Sequence, residues 1–366
     1  MLKTESIAAD NPRLQVHDWP PVAAFEQFTP EVNAFLALPA EQQRQRLLAL
    51  RGDHDSHGAL INSCLGVIYA YVYGYKDSPV YLRADVELET RLLGAKLILE
   101  EEMIHVWLPP YDLPRFTDQR ALADFLDDFI VNPQLNVGVY HEFWEYIRDE
   151  ASYEGMREFL RLVLCRTEIV DDECALLLVG LQGNLKKVMC SNLWDECGNG
   201  ALPRFHTYWL RRLLERTNDW EGLPEYRRSN QKPWSSGVLS NMFNVLLTRP
   251  GYKLRAYGCF LITESWVEPH FVRILDGLKR VGLDHDDVSV YFQTHVKIDP
   301  QHTAELIEAL RHQTPALQPV EIDEIMHGVG LALSGAISQY RGVLAHLRAV
   351  DRRASIYPQL DLVTCD

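Results

Sequence analysis

Two histidines and an aspartate in the C-terminal half, His295, Asp299 and His302, are spaced four and three residues apart. On a helix these steps rotate by about 400° and 300°, so the three side chains share one face within roughly 60°. Two imidazoles and a carboxylate suit iron or manganese, with zinc as a third choice. Polar residues at this spacing also occur on ordinary solvated faces. A second set is Glu196 and His206, ten residues apart in NLWDECGNGALPRFH. On one unbroken helix they would stand ~15 Å apart along the axis and cannot share a metal. Gly198, Gly200 and Pro203 allow a turn and a new helix, which is also how two core helices are joined with His206 incidental. Glu264 lies in the apolar stretch GCFLITESWVEPHF, where a buried carboxylate requires a cationic partner: Arg255, His270 or a metal. Glu168, in VLCRTEIVDDECALL, sits among apolar residues beside Asp171, Asp172 and Glu173 and reads as either a further donor or an exposed acid.

Other motifs fail. The run from Gly198 has Pro203 where a dinucleotide fingerprint needs its last glycine, and no strand precedes it. Glu102 and His105 form a single ExxH, whereas ferritin-like di-iron sites need two, so this reads as a helix end. There is no GxSxG, P-loop or HExxH. Seven cysteines without a CxxC pair argue against a disulfide framework or a thiolate zinc site and for a reducing cytoplasm.

The elements that must position these residues are helical. Apolar residues recur at helical spacing along most of the chain, and alternating β-branched runs are scarce, Val288 to Tyr291 being a short one. The pattern predicts an all-α protein with helices near 31–50, 56–73 and 84–106. A three-proline break follows over 107–119, then helices near 120–130, 138–149, 152–180, 183–196, 203–217, 235–248, 252–280, 285–312 and 321–349. Residues 1 to about 30 read as an extended arm, and those from 350 as a strap or disordered tail. Pro300 removes a helical donor between Asp299 and His302 and predicts a kink or unwound segment.

With 36 basic and 51 acidic residues in 366, the formal net charge is -15. Such a surplus repels phosphate backbones and anionic membranes, so nucleic-acid and membrane partners are not expected. The apolar stretch 59–75 is too interrupted to span a bilayer, and the N-terminus lacks the apolar core of a secretory signal.

The ordered set Glu168, Glu196, His206, Glu264, His295, Asp299, His302 resembles the haem-oxygenase-like diiron oxidases and oxygenases, also called iron-containing redox enzymes. The local matches are DE-x-G-x-G (Asp195 to Gly200) followed by His206, and H-x3-D-x2-H preceded by the lone Glu264. The resemblance spans roughly 126–345. It implies an up-and-down helical bundle of about seven helices (126–349) with ligands on three of them. It also implies an N-terminal helical extension (1–125) serving a homodimer, and a C-terminal tail (350–366). It implies two iron ions, O₂ as co-substrate and an external electron donor. Glu196 and His206 would hold one iron and two of His295, Asp299 and His302 the other, with Glu264 bridging. N-oxygenating members carry an extra upstream Glu, whose position Glu168 matches with a gap of about two residues, Asp172 or Glu173 being the alternatives. With Glu264 and Glu168 as catalytic carboxylates, the expectation is an N-oxygenase acting on the amine of an amino acid, its derivative or a carrier-protein-bound aminoacyl group in natural-product biosynthesis. The alternatives are a diiron desaturase, decarboxylase or C–C lyase acting on an amino or fatty acid, and a metal-free helical protein of the thiaminase or quinone-cofactor-synthase type. Arg204, Arg211, Arg212 and Arg216 could face a substrate anion but read as surface charges. Trp194, Tyr208, Trp209 and Trp266 are candidates for the substrate pocket, with core packing the default.

Overall fold

The computed structural model describes residues 28–75, 78, 86–228 and 232–356. The expected arm falls mostly outside the described residues, as do the last ten positions. Among the described residues every regular element is helical, so the all-α class read from the sequence is the class observed.

The first four helices are α1 (Pro30–Leu36), α2 (Ala40–Leu50), α3 (His54–Val72) and α4 (Val86–Glu102), and the last runs into a wide π-helical turn, Met103–Trp107. The helix expected over 31–50 is two helices, because Pro39 cannot donate to the preceding turn and Ala40 starts a new one. Beyond the proline-rich break come α5 (Gln119–Ile130), α6 (Glu142–Asp149), α7 (Tyr153–Thr167) and α8 (Val170–Leu178). The helix expected over 152–180 is therefore divided, at Glu168 and Ile169. Then follow α9 (Gly183–Glu196), α10 (His206–Arg216), α11 (Leu223–Arg228), α12 (Val238–Thr248), α13 (Lys253–Val281), α14 (Asp286–Arg311) and α15 (Pro319–Ile356). The last helix extends past 350, where a tail had been expected.

The apolar stripe of α13 is wide enough to be covered by α14, α15 and α6 together, which makes it the central element. Where α13 crosses α15, a Cβ on Gly258 would stand 2.0 Å from the Ile325 carbonyl oxygen, and one on Gly328 1.9 Å from that of Arg255. The two backbones touch because neither glycine has a side chain. In turn α14 packs against α5, α9, α10 and α13. It runs unbroken through Pro300, contrary to the unwinding expected there. The lost hydrogen bond and ring clash cost ~3 kcal/mol, which burial on several sides outweighs. Buried apolar side chains from Val32 to Leu347 form one contiguous cluster, so the N-terminal helices share the core of the rest.

Candidate metal centre

The decisive local structure is the turn between α9 and α10. Gly198, Asn199 and Gly200 all take positive φ (55°, 55° and 78°), reversing the chain within a few residues. Gly198 is required twice over, because a Cβ there would also meet the Arg204 carbonyl carbon at 2.4 Å. Glu196 is thereby the last residue of α9 and His206 the first of α10. Their side chains, ten residues apart in sequence, bring Glu196 Oε2 to 2.8 Å from His206 Nδ1. The turn thus both connects two core helices and brings Glu196 and His206 together.

His295, from α14, completes this group, and the donor atoms of Glu196, His206 and His295 all lie within 4.8 Å of one another. The donor atoms of Glu264, Asp299 and His302 form a second group within the same limit. Glu264 Oε1 is 3.1 Å from His302 Nδ1, and Asp299 Oδ1 is 3.5 Å from the same nitrogen. Neither structural partner considered for Glu264 serves it: Arg255 pairs with Glu324 and His270 contacts the Gly138 carbonyl. The His295, Asp299 and His302 face of α14 is thus split between the two groups, with His295 in one and Asp299 and His302 in the other. The residues of the two groups stand on four helices, α9, α10, α13 and α14, because the Gly-Asn-Gly turn makes α9 and α10 separate elements.

The hydrogen bonding fits metal ligation. Among the described residues His206 Nδ1, Glu196 Oε2 and both oxygens of Asp299 are buried without a hydrogen-bond partner, although the first two are in close contact. Buried polar groups are rarely left so, and an absent cation is one of the standard reasons. His295 donates its Nδ1–H to the Tyr291 carbonyl at 2.7 Å, which leaves Nε2 as a lone-pair donor on the Glu196 side. His302 presents Nδ1 to Glu264 and Asp299 while its Nε2 lies 3.1 Å from Asp195 Oδ2. A carboxylate behind an imidazole is how metal-binding histidines are oriented. Asp195 is the residue that sequence reasoning missed as a functional group; its only signal was its place before Glu196.

The electrostatics agree. Burial lowers the His295 pKa to about 4, so this ring is neutral and able to donate a lone pair. Burial, then the Glu264 charge, raise the pKa of Asp299. Burial disfavours charge on His302, but the adjacent carboxylates of Asp299 and Glu264 outweigh it and raise its pKa. Without a cation this group therefore holds protons where a metal would supply positive charge.

Glu168 stands apart. It ends α7 and forms an ion pair with Arg227, lining a separate surface cleft with Tyr75, and it belongs to neither triad. Of its alternatives, Glu173 is fully buried and paired with Arg166 at 2.8 Å, and both line a cavity shared with Glu196, Glu264, His295 and Asp299. Trp266 lines that cavity too, whereas Trp194 is exposed and Trp209 stacks on His206 at 5.0 Å. Arg204, Arg211, Arg212 and Arg216 are on the surface, as read. Glu102 binds Arg51 and His57, and His105 is exposed, so the lone ExxH is structural.

Residues 157–335 match the model of the iron-containing redox enzyme family. All six donors of the two triads fall inside this span. Among solved structures, the chain is similar to a CADD-like protein of unknown function from Nostoc punctiforme (16% identity, TM-score 0.44, covering 63% of this chain and 95% of that one). It is also similar to a domain of unknown function with a heme oxygenase-like fold from Shewanella denitrificans (14% identity, TM-score 0.42, covering 67% and 98%). A comparison with curated proteins gives no match. Among the described residues no helix is long and apolar enough to cross a membrane.

Proposed function

We propose that the protein is an O₂-dependent non-haem diiron oxidoreductase acting on a small molecule in the cavity beside the two triads. One iron would be held by Glu196, His206 and His295, and the other by Glu264, Asp299 and His302. The observation that carries this reading is the convergence of two buried three-residue donor sets. The match to a family of iron-containing redox enzymes supports it. Mixed carboxylate and imidazole donors suit ferrous iron, which when bound supplies one-electron chemistry with O₂. The chain's own part is positional. The Tyr291 carbonyl and Asp195 orient the two imidazoles, and a largely aromatic and aliphatic wall surrounds the cavity beside the donors.

Six donors favour removal of hydrogen from carbon, leading to desaturation, decarboxylation or C–C cleavage, over oxygen transfer to nitrogen. Nitrogen oxygenation leaned on a seventh donor; Glu168 is engaged by Arg227, and its alternative Glu173, although it lines the cavity, is engaged by Arg166. The electrons needed to reduce O₂ fully come from an external donor.

Anaerobic loading with ferrous iron followed by O₂ and a panel of free and carrier-bound amino acids tests both levels. Two irons per chain, O₂ uptake and a product lighter than its substrate are expected. A product carrying one more oxygen on nitrogen restores the N-oxygenase reading. Less than one iron per chain with no optical change on adding O₂ overturns the metal centre and leaves a metal-free helical protein.

A further inference from the structure

The cavity beside the triads has a volume of about 230 Å³. Its wall is largely aromatic and aliphatic, with Trp144, Phe159, Trp266 and Tyr340 among its residues, and four of the six donors line it as well. A dry cavity of about 150 Å³ accommodates benzene, so this one holds a ring with a short chain attached.

Among the described residues Arg166 is the one Arg or Lys that lines it. It projects from α7 into the interior, yet 26% of its side chain is open, whereas that of its partner Glu173 is 1% open. Through one nitrogen, Nη1, it donates to Glu173 Oε2 at 2.8 Å. A guanidinium presents five N–H donors, and among the described residues Glu173 is the hydrogen-bonded partner of this one. Placing a guanidinium in an aromatic wall costs desolvation that a single carboxylate contact only partly offsets. Tyr291, whose ring centroid lies 4.3 Å from that of His295, lines the same cavity as Arg166. The other basic side chain of the wall away from the donors, His270, is kept neutral by burial. Two divalent ions add four positive charges against the three carboxylates of the triads, so the loaded cavity does not repel an anion.

We infer that Arg166 is a specificity-determining residue that binds the carboxylate of the substrate, while a compact apolar body, of the order of a phenyl ring and two or three carbons, fills the aromatic cavity. The inference rests on the reading of the site as an oxidising metal centre and names the substrate class for it. Its chemistry is that of a bidentate guanidinium–carboxylate contact made away from water, where the planar fork of Arg is suited and the point charge of Lys is not.

The test is binding under argon to the iron(II)-loaded protein, with 3-phenylpropionate and its uncharged analogue 3-phenylpropanamide as probes. Calorimetry and quenching of the cavity tryptophans report the affinity. The acid binds roughly 10-fold or more tightly than the amide in the native protein. Arg166→Gln combined with Glu173→Gln replaces the ion pair by a neutral pair of similar shape. This change brings acid and amide to about equal affinity with iron content unchanged. Arg166→Lys, which keeps the buried charge and so protects folding, gives an intermediate preference. Equal affinity for acid and amide in the native protein, or binding of neither, overturns the inference. A preference for the acid that survives in the double variant assigns anion binding to the irons and overturns it equally. Iron content is measured on the same samples, so failure of the metal-centre reading shows as absent iron and is separable from failure of the Arg166 assignment.

Discussion

His302 shows how a single side chain acquires its role. One ring nitrogen faces Glu264 and Asp299, the other faces Asp195, and the imidazole cannot turn without losing both sets of contacts. Asp195→Asn keeps the size of the side chain but weakens its acceptor, and a loss of about 10- to 100-fold in affinity for iron at this centre is expected, measured by competition with a chelator. Unchanged affinity would reduce Asp195 to a surface acid. Replacing a donor acts more sharply. His295→Ala and Asp299→Ala are each expected to lower the iron content from two per chain to about one, at different centres, which element analysis and Mössbauer spectra can distinguish. The raised pKa values of Asp299 and His302 have a consequence with a defined sign. Burial and the neighbouring carboxylate charges favour protonation of this pair before metal arrives, and ligation requires that proton to leave, so iron binding is expected to liberate protons and to strengthen as pH rises. Proton release is read in weakly buffered solution on adding ferrous iron. Release that is absent at neutral pH contradicts the proposed ligand set.

At the scale of elements, the turn between α9 and α10 matters more than either helix. Gly198→Ala forces a side chain into positive φ and against the Arg204 backbone. It is expected to cost about 1–3 kcal/mol and to separate Glu196 from His206. Reduced iron binding at the Glu196 centre with the Glu264 centre retained is the diagnostic result. A variant that loses both centres equally would show a global rather than a local effect. The crossing of α13 and α15 is a control, since Gly258→Ala also brings a Cβ against backbone but lies outside the ligand turn. Its effect should be on stability, seen in urea unfolding. The break within 152–180 is of the same kind. Local pattern continues smoothly through residues 152–180, and only the position of Glu168 and Ile169 between packed helices ends one and starts the next.

For the whole molecule, burial and its electrostatic cost set the dependence on pH. His270, stacked on Trp144 with centroids 3.6 Å apart, has its pKa lowered to about 3 by burial. In the unfolded chain this group protonates near pH 6.5. Between those values the unfolded state holds the extra proton, so His270 contributes its full stability above about pH 6.5 and loses it as pH falls, by up to ~1.4 kcal/mol per unit. His270→Phe should flatten the slope of urea stability between pH 6 and 4 relative to the native protein. Equal slopes would exclude His270 as the source. Two ions bound only by the folded state, as proposed, would also raise the melting temperature, with about 2.7 kcal/mol gained per site at a hundredfold excess over Kd.

The donor types, their order and the helical class were legible in the sequence, because helix periodicity is local and a 4–3 spacing puts His295, Asp299 and His302 on one face wherever α14 lies. The glycine-rich turn was legible as a turn. Only the tertiary structure decided which donors meet, because the distance between Glu196 and Glu264 depends on how α9, α13 and α14 pack, which no local pattern records. It paired His295 with Glu196 and His206, and Glu264 with Asp299 and His302. It also engaged Glu168 with Arg227 and brought Asp195 and Arg166 to the site. Charges in an apolar stretch declare that a partner is needed; which partner is settled by the contacts that burial leaves open.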